Sequence, residues 1–314
     1  MQNADIAALY DSLRDARILN AGFIIIRPSP LGQQLYRTIR AITRSAEIDD
    51  QKALNRAIGM MKRRRKRDEE VLRVNVLDRN QFLSGLDYFE KSGRKFPKVF
   101  GGCKPQNTSK CPLVVHNNWI VSKEAKVYRF REHLMWLYDG NDQYYSSETR
   151  KYLMYTNPKP TTSSGLPRNV TERELSALRT ALAIGYVLDR VVILPRFHFR
   201  DRECPLNSIV HIKTFDARFA GRYRENSFLQ HPKVPDLVTQ DVTDRQFFVH
   251  ANQSFDVHVS RAEIMRLLGE VNAKVLNLGN LQRVKVELED RSIDRVFSSE
   301  LQNAFRRARY RQIH

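Results

Sequence analysis

The sequence predicts an α/β protein that contains two units. β-prone apolar segments alternate with amphipathic helical patterns between residues 18 and 119, and a similar alternation resumes after residue 171. Between these regions, residues 157–165 are rich in proline, serine and threonine, which is typical of an extended connector. We therefore expect a first α/β unit over residues 1–154, a linker over 155–171 and a second α/β unit over 172–314.

The elements of the first unit follow from local periodicity and from helix-start signals. A β-rich run over Ile18–Ile26 is stopped by two prolines, and a helix is predicted from about Leu31 to Arg44. Asp49-Asp50 then forms a capping signal for a second helix. Further β segments are predicted at Val71–Leu77, at Phe82–Phe89 as a turn-and-strand unit, and at Leu113–Trp119.

The second unit begins with a strong helix signal. Thr171 and Glu174 have capping-box spacing and precede a helix whose apolar positions continue to Tyr186. Val191–Leu194 is a continuous apolar run of the kind buried in a parallel sheet. Strands are also predicted at Phe247–Val249, Phe255–Val259 and Val284–Leu288, and helices at Arg261–Leu268 and Glu300–Tyr310.

The charge balance favours anionic partners. The formal net charge is +18, so nucleic acid, phosphorylated small molecules and acidic glycans all qualify. The densest run, Lys62–Arg67, is typical of a nucleic-acid patch or a localisation signal, but it also suits the C-terminal end of a helix, where cations complement the helix dipole. We favour the helix interpretation and expect no nucleic-acid partner, because no zinc-finger spacing or RNA-binding strand signature accompanies the run.

Targeting and redox signals are sparse. No uncharged apolar run approaches the roughly 18 residues that span a bilayer, and Met1–Asp5 lacks the basic start of a signal peptide. Cys103 and Cys111 bracket a polar loop and would be close enough in sequence for a bridge in an oxidising compartment. Glycosylation triplets at Asn107, Asn169 and Asn252 are compatible with the secretory pathway.

The most informative segment is Val114–Val121. This apolar run ends in His116, Asn117, Asn118 and Trp119 and passes directly into basic residues, as expected where a strand delivers side chains to a pocket at its carboxyl end. Trp119 and Trp136 would suit sugar-stacking platforms, although we favour core packing for both.

Four segments in order over about residues 18–137 resemble the nucleotide-diphospho-sugar transferases, in particular glycosyltransferase family seventy-seven, which includes plant arabinosyl- and xylosyltransferases. The segments are Asn20-Ala21-Gly22-Phe23 with Arg27-Pro28, Asp50-Gln51 with Leu54-Asn55, Phe82-Leu83-Ser84-Gly85 with Tyr88-Phe89, and His116–Val121 with Lys126, Arg129-Phe130 and Trp136. The resemblance implies a GT-A, Rossmann-like fold, a UDP-sugar donor, a divalent cation such as Mn²⁺, and transfer with retention of configuration.

The resemblance also implies roles for individual residues. His116 resembles a late metal ligand, with a hydrogen-bonded structural histidine as the alternative. Asp50, with Gln51 beside it, resembles the acidic residue that orients the donor sugar, but an aspartate at a helix start also serves as a cap. The residues implied in donor binding are Asn20, Gly22, Asn117, Lys123 and Lys126. For Asn20 and Gly22 the alternative is a glycine bulge in a strand, and for the lysines it is a solvated basic face.

Members of this family carry an upstream half-domain that ends in a metal-binding D-x-D motif. About 17 residues precede Ile18 here, and no D-x-D triplet occurs in the chain. We therefore expect residues 1–154 to be the C-terminal part of a truncated GT-A domain, with a membrane anchor in a longer parent protein of the Golgi or endoplasmic-reticulum lumen.

The second unit offers weaker signals. Its helix–strand pair from Leu178 to Pro195 resembles the opening of protein O-fucosyltransferase-like domains, where an arginine on the helix faces a sugar nucleotide; Arg179 and Arg190 are the candidates, with ordinary surface arginines as the favoured alternative. His198, Cys204, His211 and His231 match no zinc spacing, and we interpret them as structural.

The predicted function is transfer of a sugar from a UDP-sugar to a glycan or glycoprotein hydroxyl. The alternative is a non-catalytic module that binds acidic glycans or a partner.

Overall fold

The computed structural model describes residues 4–11, 18–63, 70–91, 112–157, 170–199, 202–245 and 256–288, together with residues 299 and 303. The chain is α/β, as the sequence predicts, with parallel strands and helices in both of its compact units. The units span Met1–Ile120 and Val121–His314. No helix within the described ranges is both long and apolar enough to cross a membrane.

The first unit contains a small mixed sheet and a parallel strand pair. In the sheet, the first strand in chain order lies at the centre. It pairs antiparallel with the second strand of the chain and parallel with the third. The two strands of the pair run parallel. A π-helical turn at Leu86–Lys91 follows the first of these two strands. The elements are β1 (Ile6–Tyr10), β2 (Leu19–Ile26), α1 (Pro30–Ala46), α2 (Asp50–Arg63), β3 (Val74–Val76), β4 (Phe82–Ser84) and β5 (Val114–His116).

The helices α1 and α2 pack their apolar faces on this sheet. Leu35 of α1 and Leu54 of α2 are fully buried and lie in one core cluster with Ile6 and Leu19. The two helix predictions are confirmed. Ser29 caps α1 by accepting the Gly32 N–H at 3.1 Å.

The strand predictions were less accurate. β1 was not predicted, because its Ala7-Ala8 centre has low β propensity even though the whole strand is buried. Only Val74–Val76 of the predicted 71–77 segment pairs as a strand, and the predicted turn-and-strand unit over 82–89 consists of the strand Phe82–Ser84 and a turn that follows it. β5 is also shorter than predicted, since the chain leaves the sheet after His116.

The second unit contains a five-stranded parallel sheet in the order β10-β7-β6-β13-β11. A parallel pair, β12 with β14, and an antiparallel pair, β8 with β9, accompany it. The strands are β6 (Tyr152–Thr156), β7 (Val191–Ile193), β8 (Phe197–Phe199), β9 (Arg202–Cys204), β10 (Tyr223–Arg224), β11 (Val242–Asp244), β12 (Val257–Ser260), β13 (Val275–Asn280) and β14 (Val284–Glu287). The helices are α3 (Lys123–Glu132), α4 (Val170–Val187), α5 (Ile212–Phe219), α6 (Asp236–Gln240) and α7 (Arg261–Leu268).

The units divide earlier in the chain than the predicted boundary at residue 154. That residue lies inside β6, the central strand of the second sheet, which pairs with β7 and β13. Residues 121–154 therefore pack with the second unit. The composition shift at 157–165 marks the connection from β6 to α4, most of which lies outside the described residues.

The other second-unit predictions have mixed outcomes. The strand at Val191 and the helix Arg261–Leu268 are confirmed. The capping-box interpretation was wrong: α4 already includes Val170, and the Glu174 carboxylate accepts the N–H of His198 at 2.7 Å. The predicted strand at 247–249, both bracketing cysteines and the glycosylation acceptors Asn107, Asn169 and Asn252 lie outside the described residues, and so does the predicted helix over 300–310 except for residue 303.

Candidate functional site

Polar side chains of the first unit gather where β1, β4 and β5 end. Asp11 follows β1, and Gly85 and Asp87 follow β4. Asn117 and Asn118 follow β5. The carboxyl ends of parallel strands are where α/β proteins place ligands, so this edge is the candidate site.

A bulge in β2 brings Gly22 to this edge. Ala8 pairs with Ile24 and the adjacent Leu9 pairs with Asn20, so three residues of β2 have no counterpart on β1. A β carbon at Gly22 would lie 2.1 Å from both Cε1 and Nε2 of His116. The backbone at Gly22 is thus in direct contact with the imidazole ring, an approach that only glycine permits.

Aromatic and amide contacts hold the bulge in place. The ring of Phe23 packs against that of Phe82 in β4, with 5.6 Å between the centroids. Asn20 is buried, its Nδ2 donates to Asp11 Oδ1 at 2.8 Å, and its Oδ1 accepts the Gly22 N–H at 2.7 Å. These bonds shape the bulge, and a direct contact between Asn20 and a donor stays a prediction.

Asn55 of α2 fixes the start of β2. Its Oδ1 accepts the Leu19 N–H at 2.9 Å, and its Nδ2 donates to the Leu19 carbonyl at 2.8 Å. The Asn55 side chain therefore makes the two hydrogen bonds to the Leu19 backbone that a neighbouring strand would otherwise make. Asn55 belongs to the motif Asp50-Gln51 with Leu54-Asn55, but the sequence assigned it no role of its own.

Asp87 forms a second polar cluster that was not predicted from the sequence. Its Oδ2 accepts hydrogen bonds from Tyr10 Oη and, at 2.8 Å, from Ser84 Oγ. The guanidinium of Arg79 lies 3.7 Å from the centre of the Tyr10 ring. Burial and the neighbouring Asp87 carboxylate raise the pKa of Tyr10, so its hydroxyl stays a donor at neutral pH. The available signal was Ser84-x-x-Asp87, a capping pattern placed directly after a strand.

Asn118 links the two strand ends. Its Oδ1 accepts the Gly85 N–H at 2.7 Å, and its own N–H donates to the His116 carbonyl at 2.8 Å. Asn117 beside it is buried. The amides that follow β5 therefore hold the backbone around His116 and leave the histidine at the edge, against Gly22.

Asp50 and Gln51 occupy the first turn of α2. Asp49 is the cap, since its Oδ1 accepts the Lys52 N–H at 2.7 Å, which confirms the helix-start prediction. Asp50 is exposed, and its carboxylate accepts the Gln51 N–H at 2.8 Å. Gln51 lies one turn before Asn55, whose Nδ2 also donates to the Gln51 carbonyl at 2.8 Å, so this turn adjoins the start of β2. A catalytic role for either residue stays a prediction.

The predicted phosphate-binding lysines lie in the other unit. Lys123 and Lys126 are exposed on α3, which Ser122 caps by accepting the Ala125 N–H at 3.2 Å. Between β5 and α3, Trp119 has a φ of 56° and is 52% exposed. The core-packing prediction for Trp119 was therefore wrong. Trp136 is half-buried and stacks on Phe130, with 6.4 Å between the centroids, as predicted.

No three His, Cys, Asp or Glu side chains among the described residues form a group able to hold a metal ion. His116 offers one imidazole donor at the edge. The side chains that the structure describes therefore do not form a complete cation site by themselves.

Arg190 has a structural role in the second unit. It is 3% exposed, and its guanidinium donates to the carbonyls of Tyr152, Ala273 and Val271 at 2.5–3.1 Å. Neither alternative in the sequence interpretation, a surface arginine or a nucleotide-facing one, holds for this residue. Arg179 is half-buried on α4.

His198, His231 and Cys204 support the second unit, in agreement with the structural interpretation. Buried Glu174 binds His198 Nδ1 at 2.6 Å, and the His231 ring stacks on Tyr145 at 3.6 Å between centroids. Burial, followed by the nearby Glu174 carboxylate, raises the pKa of Cys204 to about 12. That thiol is therefore not a nucleophile at neutral pH.

A buried charged cluster lies near the carboxyl ends of β7 and β10. Glu132 Oε1 pairs with Arg196 at 2.7 Å, and its Oε2 accepts the Asn226 N–H at 3.2 Å. Glu225 accepts the Tyr144 hydroxyl at 2.7 Å. Burial raises the pKa of Glu132 to about 7, and the Glu225 carboxylate adds to the shift while Arg196 opposes it. Sequence reasoning did not identify this cluster, because its members are far apart along the chain.

The edge cluster of the first unit, from Tyr10 to Asn118, falls inside a region with a recognisable relationship to known proteins. Residues 3–130 match the family of nucleotide-diphospho-sugar transferases. The match covers less than half of the chain and indicates glycosyl transfer as the activity class of this region. It is to the broad family and does not single out the plant arabinosyl- and xylosyltransferase group. No curated protein and no solved structure is significantly similar to the chain.

Proposed function

We propose that the protein transfers a sugar from a UDP-sugar donor to a hydroxyl of a glycan or glycoprotein, with retention of configuration. The observation that carries the proposal is the contact between Gly22 and His116, within residues 3–130. The contact joins the bulge of β2 to the end of β5. The imidazole of His116 lies beside the exposed backbone of Gly22, which a sugar or a phosphate is able to approach closely.

The chemistry explains the residue types. In a retaining transfer the bond between the sugar C1 and the UDP oxygen breaks, and a bond from C1 to the acceptor oxygen forms on the same face. The acceptor proton passes to an oxygen of the departing diphosphate, so no side-chain base is required. The barrier is dominated by negative charge on the leaving group, which positive groups stabilise.

Within this proposal His116 faces the diphosphate. Asn20, Gly22 and Asn117 shape the donor side, while Asp50 and Gln51 orient the hydroxyls of the sugar. A divalent cation such as Mn²⁺, when bound, supplies Lewis-acid neutralisation of the diphosphate. His116 is the candidate ligand in this region for such an ion.

The cellular setting belongs to the same proposal. We place the protein in the Golgi or endoplasmic-reticulum lumen. The glycosylation triplets and the resemblance of the first unit to cell-wall transferases support this placement.

UDP binding tests the proposal most directly. Calorimetric titration of UDP into the full chain, with and without manganese, is expected to show binding that His116→Ala abolishes. His258→Ala is the matched control, because His258 is an exposed histidine of the second unit, paired with Glu287. Absence of UDP binding by the wild-type chain, or equal binding by the His116 variant, would contradict the proposal.

The alternative, a non-catalytic module for acidic glycans or a partner protein, is favoured by the net charge of +18. It predicts salt-sensitive glycan binding in a chain that binds no UDP. The two titrations, with UDP and with an acidic glycan, therefore separate the alternatives.

A further inference from the structure

A groove of about 390 Å³ opens in the first unit where β2 ends and α1 begins. Its volume lies in the range of small-molecule and oligosaccharide sites, roughly 300–1,000 Å³. The side chains that line it are two arginines, an amide, a tyrosine and two apolar residues: Arg27, Arg37, Gln33, Tyr36, Ile26 and Pro28.

The turn beside the groove is rigidly held. A β carbon at Gly32 would lie 2.0 Å from the Arg27 carbonyl oxygen, so glycine is required for the close approach of the helix start to β2. Ser29 Oγ donates to Asp5 Oδ1 at 2.6 Å while it accepts the Gly32 N–H. Asp5 in turn accepts the Arg73 N–H at 2.9 Å. The groove is therefore preformed, which lowers the ordering cost of binding.

The groove continues into a basic stripe along α1. Gln33, Arg37, Arg40 and Arg44 are exposed at positions that share one helix face, and α1 contains no acidic residue. Among the described residues, Arg37, Arg40 and Arg44 have no ion-pair partner. With a rise of about 1.5 Å per residue, the stripe from Arg37 to Arg44 is roughly 10 Å long.

Tyr36 adds a flat apolar surface at the groove end of this stripe. Its side chain is 58% exposed, so the ring is accessible to a ligand in the groove. A sugar ring presents C–H groups on one face, and these pack on an aromatic ring. Guanidinium groups bind carboxylate or sulfate, often through two hydrogen bonds, and an amide side chain forms hydrogen bonds with hydroxyls.

We propose that this groove and stripe bind an acidic glycan, and that this glycan is the acceptor. The identification as acceptor rests on the proposed function, whereas the binding itself does not. The groove lies within residues 3–130, the region that matches sugar-transferring proteins. Its lining has one aromatic ring, whereas sites for single-stranded nucleic acid stack successive bases on several.

The position of the groove indicates a long acceptor. Ile26 lies four residue steps beyond Gly22 on β2, which corresponds to roughly 13 Å of strand. A glycan that reaches both the groove and the Gly22–His116 edge must therefore extend over several sugar units. Contacts so far from the reacting hydroxyl contribute binding energy that helps to position it.

Binding to defined probes tests the proposal. The full chain is titrated with a galacturonate decasaccharide, a heparin decasaccharide, neutral maltodecaose and a ten-nucleotide single-stranded DNA, at low and at physiological salt. We expect one of the two acidic glycans to bind with marked salt dependence and the neutral glycan not to bind. The two acidic probes distinguish a carboxylate from a sulfate ligand. DNA binding as tight as that of the better acidic glycan would overturn the proposal in favour of a nucleic-acid site.

The variants locate the binding. Tyr36→Ala combined with Arg37→Gln is expected to weaken the acidic glycan at least about tenfold, because it removes the ring and one charge-assisted contact. Arg56→Gln is the matched control, since Arg56 is an exposed arginine on α2 of the same unit. An affinity of the double variant within about twofold of the wild type would overturn the proposal.

Two further comparisons separate this inference from the proposed function. The groove variant is expected to bind UDP normally, and His116→Ala is expected to bind the acidic glycan normally. Loss of glycan binding in the groove variant of a chain that binds no UDP would leave the glycan site standing and remove the transferase proposal. Thermal unfolding of every variant confirms that each is folded, and Tyr36→Phe, which keeps the ring, is expected to retain binding.

Discussion

The backbone at Gly22 lies against the imidazole of His116, so closely that a β carbon would be 2.1 Å from Nε2. The two residues come from distant segments: Gly22 is in the bulge of β2, and His116 is the last residue of β5. Gly22 does not have a positive φ, so the requirement for glycine here is one of space. The motifs Asn20-Ala21-Gly22-Phe23 and His116–Val121 are therefore related through one contact, that of Gly22 with His116.

Gly22→Ala should therefore displace the His116 ring. Overpacking of this kind costs about 1–3 kcal/mol of the free energy of unfolding, and UDP affinity should fall with it. Urea denaturation and UDP titration measure the two effects. The control is Gly59→Ala in α2, where the new β carbon meets only the end of Arg63 at 3.5 Å. That change should raise stability by about 0.5–1 kcal/mol. Equal stability of the Gly22 variant and the wild type would show that the ring moves at no cost.

Asn55→Ala should destabilise the first unit through β2. The substitution leaves the N–H and carbonyl of buried Leu19 without their side-chain partner, at a cost of about 1–3 kcal/mol. The neighbouring Arg56→Ala, on the exposed face of the same helix, should change stability by no more than about 0.5 kcal/mol. Urea denaturation of both variants makes the comparison, and similar midpoints would contradict the role assigned to Asn55.

Tyr10→Phe tests the cluster around Asp87. It removes one of the two hydroxyl donors to Oδ2 but keeps the ring beneath Arg79. A hydrogen bond to a charged group contributes about 1.5–3 kcal/mol, so a loss near the lower value is expected. Tyr138→Phe serves as the control, because Tyr138 is 69% exposed. If the two variants unfold at the same urea concentration, the Tyr10 hydroxyl contributes nothing to stability.

Glu132 predicts a pH dependence of stability. Its pKa is raised to about 7 in the folded protein, from an ordinary value of 4.5. Between these values the folded state binds more protons than the unfolded state, so the free energy of unfolding falls as pH rises from about 5 to 8. A shift of this size corresponds to about 3.5 kcal/mol at most, because one pKa unit is about 1.4 kcal/mol.

Denaturation at pH 5 and pH 8 measures this effect. Glu132→Gln, which remains neutral, should lose less stability over that interval than the wild type does. Glu172→Gln changes an exposed glutamate of α4 and should keep the wild-type pH dependence. An identical pH dependence in the Glu132 variant would mean that another group, such as Glu225, carries the effect.

Much of the local structure could be predicted from the sequence. The helix periodicity in α1, α2 and α7 is a property of neighbouring residues, and so is the cap at Asp49. The polar ending of β5 was also visible, because the change from Val114-Val115 to His116 and the two asparagines is local. The same residues carry the resemblance to sugar transferases, which the match over residues 3–130 supports.

Other features could not be predicted, because they depend on residues far apart in the chain. β1 is a strand because it is enclosed between β2 and β3, and its alanines have no strong β preference of their own. The unit boundary is similar: β6 follows the first unit's motifs in sequence, yet it pairs with β7 and β13.

The sequence by itself thus determined the α/β class, the main helices, the positive charge and the candidate edge after β5. The tertiary structure decided that Gly22 meets His116, that Asn55 holds Leu19, that Arg190 is buried, and that Tyr36 and Arg37 line a groove. Periodicity and capping act between residues a few positions apart and can therefore be predicted from the sequence alone. Burial, close approach and charge pairing depend on which distant segments pack together, and only the folded chain specifies that.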